Sequence, residues 1–137
     1  MAMQAYFKVI GIGTNNSPAT IELLSFQWGV GRGIATGSGG GAGKVDIKEI
    51  TITKQTDAAS PHLLAACVNG EHLSSAEIGI LLPAVQSSTG PEFLKYEFTN
   101  IILSEFEAGG NFGGAALPVE TLKFEFGQVA ILLPAVQ

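Results

Sequence analysis

The residues able to do chemistry are few and stand apart. His62 and His72 are the two histidines, and Cys67 is the single cysteine, of a 137-residue chain. A structural or catalytic zinc needs three or four nitrogen, sulfur or carboxylate ligands at close spacing. Neither histidine has such a neighbour, so no metal site is expected, and one cysteine allows no internal disulfide. Cys67 falls on the apolar stripe of a predicted helix, where a small hydrophobe is the default and a reactive thiolate is not. Glu105 and Glu107 flank Phe106 on a strand end. Alternation puts both carboxylates on one side, which without a cleft is a solvated edge and not an acid–base pair.

Two glycine patterns resemble phosphate-binding loops and fail. In Ser38–Val45, SGGGAGKV, a serine stands where the first glycine belongs. A valine follows the lysine where a Ser or Thr is required, and the stretch leads into a strand. No helix N-terminus would then face a phosphate. Gly29-x-Gly31-x-Gly33 does not sit on a strand-to-helix turn either. The expectation is a chain with no catalytic, cofactor-binding or metal-binding residue, and so no enzyme.

Composition points to assembly. Hydrophobic residues make up 46% and charged residues 14% of the chain. Average soluble domains carry about 25% charged residues. So few charges leave apolar surface that other subunits would have to cover. The net charge of −5 with scattered basic residues argues against a nucleic-acid partner. The longest apolar run, Ile78 to Val85, is too short for a membrane-spanning helix. Residues 1–13 lack a basic start, a long apolar stretch and a cleavage site, so no secretory signal is expected there. The expected origin is the cytoplasm, with any export by a route that reads no N-terminal signal.

The elements follow from periodicity. Ala5, Phe7 and Val9 alternate with Tyr6, Lys8 and Ile10, a strand pattern. A second strand is predicted from Thr20 to Val30, with Leu24, Phe26, Trp28 and Val30 facing the core. Gly29 to Gly43 reads as a long loop, because so much glycine defeats a regular element. Fully extended, Gly31 to Gly43 reaches on the order of 40 Å, enough to lie on a neighbouring subunit. Lys44 to Lys54 is a strand whose apolar face slips by one residue. Val45 and Ile47 point one way and Ile50 and Ile52 the other, so a bulge is predicted near Lys48-Glu49. A helix is predicted over Ala59 to Asn69, capped by Ser60, with Pro61 in its first turn and Asn69-Gly70 as its stop. Leu63, Leu64, Cys67 and Val68 form its apolar stripe. Three further strands are predicted: His72 to Leu82, Glu92 to Phe106 (Leu94, Tyr96, Phe98 and Ile102 on one face), and Val119 to Leu133. The fold class is mostly β: long strands at this spacing with one short flanking helix suggest a closed or nearly closed β-barrel or a two-sheet sandwich, residues 1–137 forming one domain. The heptapeptide ILLPAVQ occurs twice, at Ile80–Gln86 and Ile131–Gln137. Both copies are apolar on both strand faces, so one face calls for a partner beyond the barrel interior.

A set of motifs in fixed order resembles a known family. These are Leu24-Ser25-Phe26-Gln27-Trp28-Gly29, Gly43-Lys44-Val45, Thr53-Lys54, and Asp57-Ala58-Ala59-Ser60-Pro61-His62-Leu63. Cys67-Val68-Asn69-Gly70 with His72, and Phe93-Leu94-Lys95-Tyr96-Glu97-Phe98-Thr99, complete the set. Together they resemble the Hcp family, the tube protein of the bacterial type VI secretion system. The two ILLPAVQ copies depart from it, since family members usually carry more polar strands there. The resemblance implies a single β-barrel of two packed antiparallel sheets with one short flanking helix, a homo-hexameric ring, rings stacked into a hollow tube, and export of that tube by a contractile sheath with its spike proteins. It also implies small effectors in the lumen, and neither nucleic acid nor membrane insertion. The expected subunit-interface loop is Gly31, Arg32, Gly33, Ile34, Gly39 and Gly43. A carrier for exported effectors, and the tube protein of another phage-tail-like injection machine, are the alternative readings.

Overall fold

The computed structural model describes residues 3–14, 17–34, 42–82, 92–111, 113–114 and 117–133. The chain runs β1 (Gln4–Thr14), β2 (Ser17–Glu22), β3 (Ser25–Ile34), β4 (Ala42–Gln55), α1 (Ser60–Asn69), β5 (His72–Leu81), β6 (Glu92–Gly109), β7 (Val119–Glu125) and β8 (Gln128–Leu132). A mostly β fold with one short helix is as expected. The two packed sheets are not: all eight strands join one antiparallel sheet in the order β2-β1-β5-β6-β7-β4-β3, with β8 also on β6. One sheet suffices because it curls. The rings of Phe7 on β1 and Phe124 on β7 meet at 5.1 Å, although β5 and β6 lie between those strands in the sheet. No ladder among the described residues closes the sheet between its edges. Instead the edge strands β2 and β3 are joined by a corner at Leu23–Leu24. There the Leu23 amide donates to the Ala5 carbonyl at 2.9 Å and the Leu24 amide to the Thr53 carbonyl at 2.8 Å.

That corner breaks the strand predicted from Thr20 to Val30. Phe26 and Trp28 pack on the core as expected, but Leu24 and Val30 are exposed. The core is lined by Phe7, Val9, Ile21, Ile50, Ile52, Ile78, Phe98, Ile101, Leu122 and Phe124. An aromatic group crosses it: the Trp28 ring lies 5.1 Å from Tyr96, 5.6 Å from Phe98 and 6.3 Å from Phe126, each edge-on.

Two irregularities set the strand phases. In β4 the predicted bulge is present: Gln27 pairs with Thr51 but Gly29 with Lys48. In β6 the face switches at Asn100, so Phe98 and then Ile101 and Leu103 are buried, and Ile102 does not share the face of Phe98 as expected. Asn100 has a φ of 54°, a conformation that asparagine tolerates better than most side chains. Opposite it, Phe126–Gly127 interrupts the predicted strand Val119 to Leu133, giving β7 and β8.

The helix begins at Ser60 and ends on Gly70 at φ 62° and ψ 36°, as predicted for the Asn69-Gly70 stop. The Gly70 and Glu71 amides donate to the carbonyls of Cys67 and Ala66, satisfying the last turn. Ser60 is not the cap expected of it, because its hydroxyl is engaged elsewhere. The apolar stripe is also turned. Leu63 and Ala66 are buried, whereas Leu64 is 47% and Val68 75% exposed.

Candidate assembly surface

The residues expected to form an interface loop belong largely to strands. Gly31, Arg32, Gly33 and Ile34 continue β3, and Gly43 lies in β4; Gly39 is outside the described residues. Glycine does not break this segment because each strand supplies the other's hydrogen-bond partners. Val30 pairs with Ile47, Gly31 with Asp46, Arg32 with Val45 and Ile34 with Ala42. β7 accompanies β4 only from Ile50 to Gln55. Among the described residues, 29–34 and 42–48 therefore pair with each other alone and form a two-stranded arm. Such a ribbon is marginal in water unless something packs on it.

The second feature is β8. It pairs with β6 through Lys95–Leu132 and Thr99–Gln128, and with nothing on its other edge among the described residues. Its sequence QVAIL carries no charge, although free edges are normally protected by charges. Ile131 is 59% and Leu133 72% exposed, with Phe93 and Leu132 also open to solvent. The duplicated heptapeptide has a structural counterpart here. Ile80 and Leu81 pair with Leu94 and Glu92 on one side of β6, and Ile131 and Leu132 with Tyr96 and Lys95 on the other. Residues 83–86 and 134–137, the remainders of both copies, lie outside the described residues.

A buried polar cluster pins the helix to the sheet. Lys54 Nζ, wholly buried, donates to Glu120 Oε1 at 2.6 Å and to Ser60 Oγ at 3.0 Å, and lies 3.0 Å from Asp57 Oδ1. The Ser60 hydroxyl donates to Glu120 Oε1 at 2.9 Å, and Thr56 Oγ1 to Glu120 Oε2 at 2.9 Å. The Asp57 carboxylate accepts the Ala59 amide at 3.0 Å. Thr53-Lys54, Asp57 and Ser60 stand out in the sequence as motif residues. Glu120, which completes the cluster from β7, carries no sequence signal because its partner is 66 positions away.

The other singled-out side chains are ordinary in their surroundings. His62 and His72 are exposed, and Cys67 is half-buried against the core. Glu105 is held by Lys123 at 3.2 Å, while Glu107 is exposed. No group of three metal-ligating side chains occurs among the described residues.

On the outer face of β1, β5 and β6, the Tyr6 ring sits over Gly79, leaving no room for a Cβ there. Its hydroxyl donates to Glu92 Oε2 at 2.7 Å. Burial, that hydrogen bond, and the carboxylates of Glu77 and Glu92 all raise the phenol above its ordinary value near 10. A group whose folded pKa is raised stabilises the fold fully below its unfolded pKa and loses that contribution as pH climbs. Lys95, raised by its hydrogen bond to Glu77, acts with the same sign. The Tyr6→Phe variant is accordingly expected to lose less stability than the parent on going from pH 9 to 12. Urea midpoints across that range check this, and parallel curves would contradict it.

Comparison with known proteins agrees with this architecture. A family model described as "Type VI secretion system effector, Hcp" matches residues 13–132. Protein hcp1 of Pseudomonas aeruginosa is 28% identical over 88 residues, 64% of this chain and 52% of that protein. The chain thus spans about half the length of this curated relative. A solved type six secretion system protein is 28% identical with a TM-score of 0.78, covering 95% of this chain and 83% of its own. Hcp1 from Salmonella typhimurium, at 24% identity, shares the fold with a TM-score of 0.74, covering 98% of this chain and 88% of its own. A curled antiparallel sheet with one helix pinned at Lys54, matched by one family model over nearly its whole length, places the chain in the Hcp family of type VI secretion system effectors.

Proposed function

We propose that this chain is, as one domain, the structural subunit of the hollow inner tube of a type VI secretion system. It assembles as stacked homo-hexameric rings and leaves the cell with the tube. The observation that carries this reading is a pair of features with an open edge among the described residues, the two-stranded arm at 29–34 and 42–48 and the uncharged edge of β8. A family member with two such features has surface that makes sense once identical copies cover it. In this reading the arm, with Gly31, Arg32, Gly33, Ile34, Gly39 and Gly43, touches a neighbouring subunit or ring. The chain is made in the cytoplasm, the sheath and spike proteins propel it, and small effectors ride in the lumen. The role is mechanical and requires no catalysis. Purified chain is expected to appear in negative stain as rings with a central hole. Featureless particles of single-copy size would refute the reading.

A further inference from the structure

Asn-Gly occurs once in the sequence, as Asn69-Gly70, and the pair forms the exposed end of α1. An asparagine side chain is a carboxamide that the backbone nitrogen of the next residue can attack. Glycine in that next place puts no side chain in the way. Here nothing lies within 4 Å of where a Gly70 Cβ would stand. Asn100 and Asn111, the other asparagines among the described residues, precede Ile101 and Phe112, whose bulk hinders the same approach.

The fold restrains the Gly70 nitrogen only lightly. Its amide donates to the Cys67 carbonyl at 3.2 Å, and the Glu71 amide to the Ala66 carbonyl at 3.1 Å. The last turn carries no basic side chain to hold the carbonyls. Val68, Asn69 and Gly70 are exposed, so the turn is anchored by Ala66 and the half-buried Cys67. A helix end with so few buried contacts frays at little cost, and fraying releases the Gly70 nitrogen from Cys67.

We propose that Asn69 is a site of spontaneous deamidation through Gly70. The Gly70 nitrogen attacks Asn69 Cγ. The new N–Cγ bond closes a five-membered imide as the Cγ–Nδ2 bond breaks, and the amide proton leaves with Nδ2 as ammonia. Water then opens the ring at either carbonyl. One opening gives aspartate. The other gives isoaspartate, in which the main chain runs through the former side chain. Either product puts a carboxylate at the negative end of the helix dipole, two positions from Glu71. Isoaspartate also lengthens the main chain inside the turns closed by the Gly70 and Glu71 amides, so the left-handed stop at Gly70 no longer fits. A neutral, closed helix end becomes an acidic, loosened one.

The test holds the purified chain in mildly alkaline buffer for days, beside chain unfolded in urea, and maps the peptides of both by mass spectrometry. The expected result in the folded chain is the mass gain of one amide-to-acid exchange on the peptide holding Asn69. It should divide into aspartate and isoaspartate forms that separate by reversed-phase chromatography. Asn69→Gln is expected to abolish the gain, because its longer side chain would have to close a six-membered ring. Asn69→Asp, which has the charge with an intact main chain, is expected to unfold at lower urea than the parent, and the aged chain at lower urea still. A folded chain that keeps its Asn69 amide while the unfolded chain loses it overturns the proposal. So does a mass gain confined to other asparagines. An aged chain with the urea midpoint of fresh chain overturns the loosening of the helix end.

Discussion

Lys54→Ala is expected to lower the unfolding free energy of the isolated subunit by about 3–5 kcal/mol, the usual cost of stranding one half of a buried ion pair. Glu120 would keep its carboxylate in a wholly enclosed site with only the hydroxyls of Ser60 and Thr56 to meet it. The helix start and the end of β4 would lose their common anchor, since Lys54 reaches Ser60, Asp57 and Glu120 at once. Urea unfolding followed by far-UV circular dichroism measures the loss. The double variant Lys54→Met with Glu120→Leu removes both charges and keeps the volume. It is expected to recover most of the lost stability, because the pair's Coulombic gain is largely offset by its desolvation. A single variant within about 1 kcal/mol of the parent would mean the pair is solvated in solution.

Phe98→Ala is expected to cost about 3–5 kcal/mol, from lost apolar burial and the cavity left behind. Phe98 is fully buried, and its ring meets Phe126 at 5.0 Å and Trp28 at 5.6 Å, both edge-on. Trp28, the single tryptophan, would report the change directly through its emission. Phe93 lies on the same strand at 45% exposure, so Phe93→Ala in the dissociated subunit should cost under about 1 kcal/mol. Equal effects at both positions would show that the phase of β6 is wrong.

Much of this fold is legible from residue patterns. Phe7 and Val9 alternate with Tyr6 and Lys8 and are buried as alternation requires. The slip between Ile47 and Ile50 forecasts the β4 bulge, and Asn69-Gly70 the helix stop. What escapes notice depends on distant partners. Gly31 and Gly33 look like loop residues until Asp46 and Val45 pair across from Gly31 and Arg32. The corner at Leu23–Leu24 exists because Ala5 and Thr53 offer carbonyls to its amides. Leu64 and Val68 fit an apolar helical stripe, yet the helix meets the sheet through Leu63 and Ala66. Glu120 looks like any strand carboxylate until Lys54 is brought to it by the fold. The open strand edges are the hardest part to read, since backbone edges have no residue signature.

This chain is expected to complete its sheet only in the company of identical copies. Native mass spectrometry of the purified protein at micromolar concentration checks this. The expected result is a particle of six copies of the 14.2 kDa chain. A particle of one copy, unchanged as concentration is raised, would contradict it.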